Sequence, residues 1–72
     1  MRLKVYEVLY TKLDNMAYEG KIYIRAFNRS EVKQYFESFD MLGHYKIKEI
    51  NLKHIMSDEE TRNFLLLKNI DL

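Results

Sequence analysis

Residues 3–13 (LKVYEVLYTKL) alternate so that apolar side chains fall on both sides of an extended chain. Leu3, Val5, Leu9 and Leu13 share one side, and Tyr6, Val8 and Tyr10 share the other. Successive residues of a strand face opposite sides of its sheet. A single helix covers one face of a small sheet, so a strand apolar on both faces requires cover for the second.

The chain is short for such a demand. At 72 residues it makes one domain, 1–72, and a domain of this size buries only about 60% of the surface its extended chain exposes. Small domains therefore draw on disulfides, metals or a partner. There is no Cys, which removes disulfide staples and thiolate zinc sites and fits a reducing compartment. A partner is the route left.

The hydrophobic fraction of 47%, with charged residues at 32% spread along the chain, describes a folded domain and not a disordered segment. No apolar run approaches the roughly 18 residues of a membrane span, and the opening residues lack a secretory h-region. The expected location is cytoplasmic. Net charge is +1, with ten Lys/Arg against seven Asp/Glu in residues 1–56 and two against four in 57–72. This lacks the strong basic bias of a dedicated nucleic-acid binder. Abundant Lys, Ile, Asn and Tyr, with no Pro and two Gly, is a composition associated with AT-rich genomes, phages and mobile elements.

A second strand is expected at 21–27 (KIYIRAF), joined to the first by a loop over Asp14–Gly20 (DNMAYEG), whose ends carry turn formers. Asn28 with Glu31 has the spacing of a capping box, and Val32, Tyr35, Phe36 and Phe39 recur at helical spacing, so a helix should begin there and leave at Gly43. From His44 to Met56 the alternation returns but changes phase: Tyr45 and Ile47 have one parity, and Ile50, Leu52 and Met56 the other. A bulge near Lys48-Glu49 would bring both sets onto one face, since one extra residue inverts the alternation. Ser57-Asp58-Glu59-Glu60 is a second capping box with acids at the positive end of the helix dipole. The helix it starts carries Phe64, Leu65, Leu66, Leu67 and Ile70, too many apolar positions for one narrow stripe, so it should pack against more than one neighbour. The expected fold is α+β, in the order ββαβα. A three-stranded antiparallel sheet has one helix packed across it and the C-terminal helix on an edge or the opposite face.

The parity of the first hairpin decides which surface is left over, because paired residue numbers in an antiparallel ladder have a constant sum. An odd sum, for example 33, sets Lys4, Tyr6, Tyr10 and Lys12 beside Lys21, Tyr23 and Arg25, a cation-rimmed aromatic platform of the kind that stacks single-stranded nucleic acid. An even sum, for example 34, places Tyr6, Val8 and Tyr10 with Ile22, Ile24 and Ala26 under the first helix. Val5, Leu9, Tyr23 and Phe27 then lie outside as candidate anchors for another protein. The even sum is favoured because it keeps Glu7 out of the core and Lys12 away from Lys21.

No motif for chemistry stands out. His44 and His54 lack metal-ligand spacing, and Asp58 and Glu59 near His54 are explained by capping. Ser30, Ser38 and Ser57 have no nucleophile context, and two glycines cannot build a phosphate cradle. No catalytic residue, cofactor or metal is expected. Lys46, Lys48 and Lys53 suit edge protection or a phosphate track. The expected function is a small non-enzymatic interaction module, a homodimer or a regulator docking on a larger protein. The alternative is single-stranded nucleic-acid binding.

Overall fold

A computed structural model describes the backbone of residues 1–70 and the side chains of residues 1–67. Its elements are β1 (Lys4–Lys12), β2 (Asn15–Ala26), α1 (Arg29–Phe39), β3 (Tyr45–Ile55) and α2 (Asp58–Ile70). The three strands form one antiparallel sheet in the order β2-β1-β3. The fold is therefore α+β with the order ββαβα, and the strand that is apolar on both faces takes the central position.

Paired residues of β1 and β2 sum to 30 from Lys4–Ala26 to Tyr10–Gly20, then shift at a bulge so that Lys12 meets Asn15. The sum is even. Tyr6, Val8 and Tyr10 join Ile22, Ile24 and Ala26 on one face, and Tyr6, Val8, Ile24 and Ala26 pack with Val32 and Phe36 of α1 as the core. Each fully buried Val, Ile or Phe contributes about 1.5–3 kcal/mol. The turn lies at Leu13-Asp14, and Asn15–Gly20 is strand where a loop was expected. Pairing with a central strand extends the hairpin through residues whose own preferences favour turns.

β3 carries two bulges. Its pairing with β1 skips Lys53 between Val5 and Tyr6, and skips Lys48 between Leu9 and Tyr10. The bulge at Lys48 resolves the phase change near Lys48-Glu49. With the second one, Tyr45, Ile47, Ile50, Leu52 and Ile55 all share a face with Tyr6, Val8 and Tyr10. Met56 falls beyond the second bulge and is buried apart from that core, where its N–H donates to Leu3 O at 2.8 Å.

Side chains fix both helix starts. Asn28 Oδ1 accepts from Glu31 N at 2.9 Å, while the Glu31 carboxylate accepts from Phe27 N at 2.8 Å, one residue further back than a standard capping box. Ser57 Oγ accepts from Glu60 N and Glu60 Oε1 accepts from Ser57 N, at 3.1 and 3.0 Å, a complete box. α1 ends at Phe39, earlier than Gly43, because the Asp40 N–H closes the helix on Phe36 O. The Asp40 carboxylate then accepts from His44 N and Tyr45 N, both at 2.9 Å, which ties the helix end to the start of β3. Gly43 provides the positive φ of 68° in the turn between them.

Candidate functional site

The face of the sheet opposite α1 is built around the odd-numbered residues of β1. Val5, Glu7 and Leu9 form its central row, with Arg25, Tyr23 and Lys21 opposite them on β2 and His54, Asn51 and Glu49 on β3. Each bulge of β3 adds a lysine to this face. Lys53 Nζ reaches Glu7 Oε1 at 3.8 Å, and Lys48 Nζ crosses β1 to Glu19 Oε1 of β2 at 2.7 Å. Lys21 Nζ approaches Glu7 from the other side at 3.7 Å, and Asn51 Nδ2 donates to Glu7 Oε1 at 3.4 Å. Glu7, expected to be outside, is on the outer face yet only 8% exposed. The lysine stems cover it while their charges offset the loss of hydration.

α2 covers one end of this face. Thr61 Oγ1 accepts the Leu3 N–H at 3.0 Å, both residues being buried, and Arg25 of β2 lies 5.1 Å from the Phe64 ring centroid. Asp58 meets Arg2 at 3.7 Å. α2 meets more than one neighbour through Thr61 and Phe64, but its later apolar positions are left open: Leu65, Leu66 and Leu67 stand 40%, 51% and 64% exposed. Helix geometry spreads three consecutive residues around the cylinder at about 100° intervals, and the sheet end that holds Thr61 and Phe64 cannot reach them all. Ile70 lies outside the described side chains.

The four candidate interface residues take different places. Tyr23 is 59% exposed on the outer face, and Val5 and Leu9 are half-buried in its central row. Phe27 is half-buried past the end of β2, where its carbonyl accepts from Lys4 Nζ at 3.2 Å. The seven residues of the alternative nucleic-acid platform are divided by the even sum: Lys4, Tyr6, Tyr10 and Lys12 lie on the α1 side, and Lys21, Tyr23 and Arg25 on the outer side. Tyr6 is buried. Tyr10 is enclosed by Phe36 and Tyr45, with ring centroids at 5.6 and 5.3 Å, and burial pushes its phenol pKa above the ordinary value, with Tyr18 adding to the shift.

On the α1 side, an open apolar groove of about 360 Å³ is lined by Tyr10, Ile22, Phe36, Phe39, Asp40 and Tyr45. Phe39 of this lining, and Met41 and Leu42 after the helix, are largely exposed. Sequence reasoning did not single out this cluster. Phe39 is one turn from the buried Phe36 on the same helical pattern, but it stands at the last residue of α1 and is exposed.

His54 Nε2 lies 3.7 Å from Glu60 Oε1 and not beside Asp58 or Glu59, and Glu60 is already engaged by Ser57. Among the described residues no group of three His, Cys, Asp or Glu side chains could hold a metal ion, and no helix is long and apolar enough to cross a membrane. No protein-family model, curated protein or solved structure matches the chain.

Proposed function

We propose that this chain is a small non-enzymatic protein-interaction module. It docks on another protein, a copy of itself or a larger one, through α2 and the adjoining outer sheet face. The observation that carries this reading is the exposure of Leu65, Leu66 and Leu67 on a helix that is tied to the sheet through Thr61 and Phe64 in its first two turns. Large apolar side chains left this exposed on one short helical segment are candidates for burial against another protein. Tyr23, Val5 and Leu9 add apolar groups on the outer sheet face, and aromatic and large apolar residues supply most interface energy. The single-stranded nucleic-acid reading has less to rest on, because its tyrosines are split between two faces and Lys21, Lys48 and Lys53 face carboxylates.

The test is Leu66→Glu. With half of Leu66 already in solvent, the substitution should leave the melting temperature of dilute protein within a few degrees. It should abolish any rise of melting temperature with an added partner. A protein whose binding to that partner is indifferent to Leu66→Glu and Leu67→Glu would overturn the reading.

A further inference from the structure

The sheet ends in two edges of different character. The β3 edge has two bulges and the lysines Lys46, Lys48 and Lys53, devices that discourage strand addition. The β2 edge has neither a bulge between Gly20 and Ala26 nor a proline. Apolar side chains flank it on both layers: a shallow cavity there is lined by Tyr23, Ile24 and Arg25 of β2, Tyr35 and Phe39 of α1, and Phe64 of α2. Phe39 is 77% exposed.

The sequence of β2 is complementary to itself at this edge. When two copies run antiparallel about a two-fold axis at Ile22, Glu19 faces Arg25 of the other copy and Lys21 faces Tyr23, with Glu19 exchanging its exposed pair with Lys48 and Lys21 its contact with Glu7 for these partners. Opposite charges and a cation beside an aromatic ring are favourable cross-strand pairs, and the two-fold repeats each one. Moving the axis by one residue sets Lys21 against Arg25 or against itself, and both choices are repulsive. With the axis at Ile22, residues 18–26 of both copies pair. The two α1 helices then lie on the same side of a six-stranded sheet, with Phe39 of each close to the axis, since Phe39 lines cavities with both Ile22 and Ile24.

We propose that β2 is the dimerisation edge of this protein, and that the partner it takes is β2 of a second copy in this register. The surface is the strand edge and the α1 stripe; it shares Tyr23 with the outer face but not the leucines of α2, so substitutions at those leucines separate the two readings. Sedimentation equilibrium on the wild-type chain should show a dimer. Glu19→Arg and Arg25→Glu should each weaken it by about ten-fold, because attraction at two symmetric pairs becomes repulsion, and the double substitution should restore it. The chain has no Cys, so Ile22→Cys gives an unambiguous second readout. It should form a disulfide-linked dimer on mild oxidation, while Lys21→Cys and Tyr23→Cys, set apart diagonally, should not. A monomer at all concentrations, a double substitution no better than the singles, or equal cross-linking at all three positions would overturn the proposal. Persistence of this dimer in Leu66→Glu would leave the edge intact and confine the failure to α2.

Discussion

Gly20 lies directly opposite Tyr10 in the β1–β2 ladder, and a Cβ at Gly20 would come within 2.3 Å of the Tyr10 Cζ atom. The tyrosine ring occupies the space that a side chain on β2 would need. It is held there by Tyr18, Phe36 and Tyr45, at 6.2, 5.6 and 5.3 Å between ring centroids. Gly20→Ala should therefore displace a packed aromatic cluster and cost about 1–3 kcal/mol in denaturant unfolding. A companion Tyr10→Leu should recover part of that loss, because the obstructing ring is gone.

Glu7 is held between two half-exposed lysines that can turn to solvent without it. Glu7→Val should change stability by no more than about 1 kcal/mol, since a buried carboxylate and its partners are often replaced by apolar groups at little cost. It would join Val5 and Leu9 into one apolar strip, so self-association measured by light scattering should rise.

Deleting Lys48 removes the extra residue that keeps β3 in phase. Tyr45 and Ile47 would move to the outer face, or β3 would slip against β1. Either outcome exposes apolar groups worth about 3 kcal/mol or more, and a lower denaturation midpoint would register it. Lys48→Ala keeps the backbone count and loses only an exposed pair with Glu19, so its effect should stay below about 1 kcal/mol.

The Glu60 carboxyl is held below its ordinary pKa, chiefly by the Ser57 backbone N–H, then by the Ser57 hydroxyl and His54. Lys48 does the same for Glu19 through a hydrogen bond and its charge. A lowered folded-state value stabilises the fold above the ordinary carboxylate pKa, and that contribution disappears as pH falls through the folded value. The melting temperature should therefore fall on acidification from about pH 5 to about pH 3. Glu60→Gln should make the slope shallower in that window and leave it unchanged near neutrality.

Local chemistry was legible in the sequence wherever it was decided within a few residues. The two capping boxes, the extra residue near Lys48-Glu49 and the even parity of the first hairpin all followed from side-chain pattern and the cost of misplaced charge. The hairpin turn was not legible, because Asn15 and Gly20 prefer turns in isolation and are overridden by the central strand beside them. The second bulge at Lys53 left only a weak signal, Met56 being out of step with Ile55. Of the candidate site, Val5, Leu9 and Tyr23 came together on one face as the parity required. The shelter given to Glu7 depends on lysines delivered by β2 and β3, and the exposure of Leu65–Leu67 depends on how Thr61 and Phe64 seat α2 on the sheet end. Both are set by contacts distant in sequence.

The central strand is also the first to be synthesised in this stretch of chain. β1 pairs with β2 almost at once, but its other edge waits for β3, and the pair Lys4–Ile55 closes a loop of most of the sequence. Contacts that distant slow folding. Until residue 55 emerges, a hairpin with two apolar faces stands without its third strand, and the α2 contact that holds Leu3 does not yet exist. Folding of this domain should therefore be a late, nearly all-or-none event. The interval before it is when the hairpin is most exposed to wrong partners, or to capture by the right one.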